Sequence, residues 1–173
     1  SFAALADALT GSSQNQPEIE LVLPPGTVIT LHGFPIVMPS GRNVTIHGTG
    51  AFVDGQGACS LFIVSAGARL TLVGLELTAG HAAASNQWLP AAHSLSNAGG
   101  GAMVVSSGAA ADLLGCTISR CSAVGDGGAM LVTGAGSMLR ALDCVISGCS
   151  ASGTGGGVHA NAGTLYLERM AVS

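Results

Sequence analysis

One short apolar pattern recurs down this chain, and its spacing restricts the chain to a stacked, repetitive fold. The clear copies are Leu70-Thr-Leu72-Val-Gly-Leu75-Glu-Leu77, Ala111-Asp-Leu113-Leu-Gly-Cys116-Thr-Ile118, Leu139-Arg-Ala141-Leu-Asp-Cys144-Val-Ile146 and Leu165-Tyr-Leu167-Glu-Arg-Met170-Ala-Val172. Each reads apolar-x-apolar, a two-residue corner, then apolar-x-apolar. Weaker copies stand at Ile19-Glu-Leu21 and Val44-Thr-Ile46. Successive copies begin 25, 26, 41, 28 and 26 residues apart. Alternation at every second residue is the period of a half-buried strand. Repetition in the mid-twenties is the mark of a solenoid, in which each coil buries its apolar face against the next.

The ends of the chain add to this reading. Residues 2–10 put Phe2, Leu5 and Leu9 on one helical face, with Gly11 as a stop, so residues 1–11 predict a short helix capping one end of the stack. The first and last residues look cut, and 1–173 reads as one domain of a processed chain or a piece of a longer one. Gly100-Gly101-Ala102, Gly127-Gly128-Ala129 and Gly156-Gly157-Val158 each precede a further apolar strand, giving about three strands per late coil. The 41-residue interval exceeds the next by thirteen. The excess falls in residues 80–98, read as a loop inserted into the solenoid.

Composition excludes several functions. Charged residues are 8% of the chain, none is Lys, and the net charge is −4. Ordinary globular chains carry roughly 25% charged residues. Nucleic-acid binding needs clustered basic groups, and the five Arg are scattered. No apolar run reaches the length of a membrane span.

The Gly-Gly-Ala strands followed by Cys116-Thr-Ile-Ser-Arg-Cys121-Ser-Ala and Cys144-Val-Ile-Ser-Gly-Cys149-Ser-Ala resemble the repeats of polymorphic outer-membrane proteins. More broadly, the whole chain resembles the non-catalytic members of the pectin-lyase-like superfamily. The Leu-Pro-Pro-Gly-Thr turn at 23–27 and Ser65-Ala-Gly-Ala-Arg-Leu-Thr-Leu carry that resemblance beside the helical start. It implies an all-β fold, a right-handed parallel β-helix of about six coils. Val53-Asp54-Gly55-Gln56-Gly57 resembles a turn of the polygalacturonases, where it is structural. Neither the catalytic elements of those enzymes nor the acidic cluster of pectate lyases has a counterpart in this sequence.

The candidate chemistry is sparse. Aligning coils places Asp112 beside Arg140 and Asp143 beside Arg169, which reads as cross-strand ion pairing rather than acid–base catalysis. Cys116 with Cys144, and Cys121 with Cys149, are each 28 residues apart and stack in adjacent coils. They are either buried thiols or inter-coil disulfides. Asn43-Val44-Thr45 is a glycosylation sequon. Gly125-Asp126-Gly127-Gly128 reads as a turn, and His32, His47 and His159 as isolated surface residues. The inserted loop is the candidate ligand or partner site, through His81, Asn86, Gln87, Trp88 and His93. Trp88 either stacks on a sugar ring or folds back over a sheet with Leu89.

No cofactor or metal is expected. The expectation is a non-enzymatic structural or interaction module of an extracellular or cell-surface assembly. Its partners would be further coils of the same chain or other protein subunits at the Leu165–Val172 edge, with glycans as an additional candidate. The alternatives are a carbohydrate-binding or polysaccharide-cleaving module, and an intracellular scaffold piece marked by free thiols and an unmodified Asn43.

Overall fold

The computed structural model describes residues 2–11, 18–83 and 99–173. They form a parallel β-helix whose strands stack into ladders. The first sheet holds β1 (Glu18–Val22), β4 (Asn43–His47), β7 (Arg69–Val73), β11 (Ala110–Leu114), β15 (Met138–Leu142) and β19 (Thr164–Glu168). The second holds β2 (Val28–Thr30), β5 (Phe52–Asp54), β8 (Glu76–Thr78), β12 (Thr117–Ser119), β16 (Val145–Ser147) and β20 (Ala171–Val172). The third holds β3 (Ile36–Val37), β6 (Phe62–Val64), β10 (Met103–Val105), β14 (Met130–Thr133) and β18 (Val158–Asn161). The late coils carry a short fourth strand that the three-strand expectation missed: β9 (His81–Ala82), β13 (Ser122–Ala123) and β17 (Ser150–Ala151). Five full coils are followed by a sixth begun by β19 and β20.

The apolar alternation sets the register. In the first sheet Val44↔Leu70↔Ala111↔Leu139 form one inward ladder and Ile46↔Leu72↔Leu113↔Ala141 the next. All are at most 1% exposed. Full burial of each Leu or Ile contributes about 1.5–3 kcal/mol, and a one-residue slip would turn a whole ladder to solvent.

The third sheet breaks the alternation. Ile63, Val104 and Leu131 point away from the core yet are at most 2% exposed. The glycine run lies against Val104 and Leu131. A Cβ at Gly99 would sit 2.8 Å from Leu131 Cδ2, and one at Gly100 would sit 2.8 Å from Val104 Cγ2. Glycine lets the backbone itself cover these two side chains.

Helix α1 (Phe2–Gly11) closes one end of the stack. Leu5 and Leu9 are 5% and 3% exposed and join the core of Ile19 and Ile29. The Phe2 side chain, expected on the same face, lies outside the described set. The far end differs in burial: strands β18, β19 and β20 pair on one side only, as β1, β2 and β3 do, but Leu167 and Val172 there stand exposed.

Candidate functional site

The sixth coil is the largest departure from a sealed core. Val172 continues the ladder Leu77–Ile118–Ile146, whose members are at most 1% exposed, yet Val172 is 60% exposed. Leu167 continues the Leu113–Ala141 ladder and is 44% exposed. Backbone donors and acceptors on the outer side of β18, β19 and β20 lack a strand partner. Such an edge is a template for pairing with another chain segment.

A groove of about 670 Å³ lies beside this edge, on the outer face of the first sheet. Arg69, Asp112, Met138, Arg140, Tyr166 and Glu168 line it. The register places Thr71, Asp112, Arg140 and Tyr166 in one outward column, as the coil alignment predicts. The charges connect differently. Asp112 forms its ion pair with Arg69 of the preceding coil, Nη1 to Oδ2 4.0 Å, rather than with its register partner Arg140. Arg140 is exposed next to Tyr166, which is 56% exposed. Arg69 is already paired with Asp112 and lies three strands from Tyr166, so Arg140 is the guanidinium beside that ring.

The second expected pair forms as read. Arg169 Nε donates to Asp143 Oδ1 at 2.6 Å and Nη2 to Oδ2 at 2.9 Å, while Nη1 donates to Glu168. The guanidinium holds the Asp143 carboxyl below its ordinary range, and the Asp143 carboxylate raises Arg169 in turn. Asp54 caps its turn by accepting from Gln56 N at 2.9 Å.

Two histidines read as isolated have partners. His47 Nε2 lies 3.1 Å from Glu20 Oε1 on the neighbouring coil. His159 Nδ1 is 2.8 Å from Thr154 Oγ1, which donates to Asp126 Oδ1 at 2.8 Å. Thr154 N also donates to that oxygen at 2.7 Å, and His159 Nε2 lies 3.9 Å from Asp126 Oδ2. The donation from the Thr154 backbone and then its hydroxyl lowers the Asp126 pKa, with a smaller contribution from His159. The hydroxyl proton is committed to the carboxylate, so the group fastens two stacked corners and leaves no activated nucleophile.

Of the candidate loop residues, His81 lies in β9 with Nδ1 2.8 Å from Ser122 Oγ of the next coil. Asn86, Gln87, Trp88 and His93 lie outside the described residues. A serine activated for attack needs an imidazole oriented by a third group. Among the described residues no carboxylate pairs with His81. Asn43 is exposed as the first residue of β4.

The four repeat cysteines stack as the 28-residue spacing predicts. Val145 N donates to Cys116 O, and Ser150 N to Cys121 O, both at 3.0 Å. Cys116 N points at Cys144 Sγ, 3.4 Å away. All five cysteines are free thiols. Burial pushes Cys59 up to about 11. Thiol–thiol hydrogen bonding raises Cys116 and Cys121 and lowers their partners Cys144 and Cys149. Among the described residues no three His, Cys, Asp or Glu side chains cluster to hold a metal. No helix among them is long and apolar enough to cross a membrane.

These features define a parallel β-solenoid whose first coil is covered by helix α1. Comparison with protein-family models, with curated proteins and with solved structures finds no match.

Proposed function

We propose that this chain is a non-enzymatic structural module, of the kind found among non-catalytic pectin-lyase-like proteins, whose exposed β19–β20 edge is joined by further coils of the same chain or by strands of another protein subunit in an extracellular or cell-surface assembly. The observation that carries the reading is the asymmetry of the two ends. Helix α1 buries Leu5 and Leu9 over one end, while Leu167 and Val172 extend inward ladders into solvent at the other. An edge of this kind gains main-chain hydrogen bonds and apolar burial when another strand joins it. Low charge and outward Ser, Thr and Ala suit close lateral packing.

Light scattering during size exclusion tests the reading. The purified chain should exceed monomer mass at high concentration, because its own open edge supplies the partner strand. Leu167→Lys, which places a charge on that edge, should restore a monomer. A wild-type chain that stays monomeric across the concentration range refutes pairing of this edge with another subunit.

The outward groove favours a second reading, binding of an acidic polysaccharide by Arg140 and Tyr166. Polygalacturonate retention that is lost in Arg140→Ala would support it, and no retention by the wild type would exclude it.

A further inference from the structure

One corner of the solenoid carries a column of sulfur atoms interrupted by a single glycine. His81 N donates to Cys59 O at 2.8 Å, Ser122 N to Gly80 O at 2.9 Å and Ser150 N to Cys121 O at 3.0 Å. The same corner is therefore Cys59, Gly80, Cys121 and Cys149 in four successive coils. Gly80 cannot be a cysteine, since a Cβ there would lie 2.0 Å from Gly101 O. Cys59 is thus separated by a coil from Cys121, whereas Cys121 and Cys149 are neighbours. Sequence spacing hides Cys59 from this column, because the inserted residues between coils break the 28-residue count.

Parallel neighbours in register stand about 4.8 Å apart, inside the roughly 4.4–6.8 Å Cα window of a disulfide. Each Sγ donates to the carbonyl two residues back, Ser119 O and Ser147 O, at 3.4 Å in both cases. The two side chains therefore hold the same orientation, stacked one above the other. Cys149 is partly exposed, whereas Cys116, Cys121 and Cys144 are each 1% exposed.

We propose that Cys121 and Cys149 form an oxidisable dithiol that cross-links the fourth and fifth coils by exchange with a small-molecule disulfide such as oxidised glutathione. Cys149, the accessible member, attacks as thiolate. A bond forms between its sulfur and one glutathione sulfur, and the other glutathione leaves as thiolate. Cys121 then attacks the Cys149 sulfur, its proton passing to solvent, and the second glutathione thiolate departs. Two cysteine thiols are oxidised and one glutathione disulfide is reduced to two thiols, which take up the released protons. The bond fastens the coil that carries the open edge, so that its corner cannot fray from the stack. Cys116–Cys144 has the same stacking without the access, and Cys59 has the corner without a neighbour. Both serve as internal controls.

The test uses the folded, fully reduced chain. It is incubated with oxidised glutathione, quenched by alkylation at intervals, and mapped by peptide mass spectrometry without reduction. The expected result is a Cys121–Cys149 bond that appears well before any Cys116–Cys144 bond, with Cys59 alkylated throughout. Cys121→Ser should trap Cys149 as a persistent glutathione mixed disulfide. The proposal is overturned if Cys121 and Cys149 stay alkylated in the wild type, if wild-type Cys149 stops at the mixed disulfide, or if Cys116–Cys144 closes first.

Discussion

Gly128 is the position where a single methyl group should do most damage. A Cβ there would lie 2.1 Å from Gly156 O, 2.4 Å from Ser150 O and 2.5 Å from Ser150 C. All three are backbone atoms of the next coil, so no side chain can rotate away. Relief requires the coils to part by about 1 Å, against an interior packed to crystal-like density. The separation strains the rungs Gly128 N to Gly155 O, 3.0 Å, and Ala129 N to Gly157 O, 2.8 Å. Losing two such bonds costs about 2 kcal/mol, and overpacking a rigid site adds about 1–3 kcal/mol. Gly128→Ala should therefore destabilise by about 3–5 kcal/mol, lowering the melting temperature by about 6–20 °C for a chain of this size. Gly67→Ala is the matched comparison. Gly67 has a φ of +69° and nothing within 4 Å of its missing Cβ, so the change carries only a left-handed backbone cost of about 1–2 kcal/mol. Thermal unfolding followed by circular dichroism separates the two. A Gly128→Ala loss no larger than that of Gly67→Ala would refute the backbone-contact argument.

Leu9→Ala should cost about 2–5 kcal/mol in urea unfolding, since Leu9 is buried between α1 and the first coil, and a loss below 1 kcal/mol would show that the cap contributes little. Asp143→Ala should leave the melting temperature close to wild type, because the Asp143–Arg169 pair stands in solvent; a large drop would contradict that reading. The Asp126 carboxyl should titrate below its ordinary value of 3.8 in the folded chain. Its depressed pKa means that its contribution to stability is present above 3.8 and lost as pH falls through the folded value. Thr154→Val removes the hydroxyl donor and should move the carboxyl midpoint upward by NMR, and an unchanged midpoint would count against the hydroxyl's role.

The inward ladders were legible because alternation and coil period act together: Leu70, Ala111 and Leu139 stack where their spacing puts them. The Asp143–Arg169 pair was legible for the same reason, since both side chains leave one corner in adjacent coils. Asp112 was not, because register fixes where a side chain starts but not which neighbour a long arginine reaches. The burial of Val104 and Leu131 on the outer face was hidden because glycine backbone lies against them, which leaves no apolar partner in the sequence. The Asp126–Thr154–His159 group escaped because Asp126 and Thr154 look like unrelated turn residues until 28 residues of coil bring them together.

The stacking of Cys116 on Cys144 has a further consequence. From Ala110 to Thr133 each backbone position has a counterpart 28 residues on in the coil above, so the chain is editable in whole turns. Excising residues 116–143 would join Gly115 to Cys144 and lower the upper part of the molecule by one layer, with every ladder still facing its own kind. Excising one residue more would rotate the downstream alternation against the upstream stack. Length in such a molecule is a quantity counted in coils, and loss or duplication of a complete coil is the change its architecture absorbs most readily.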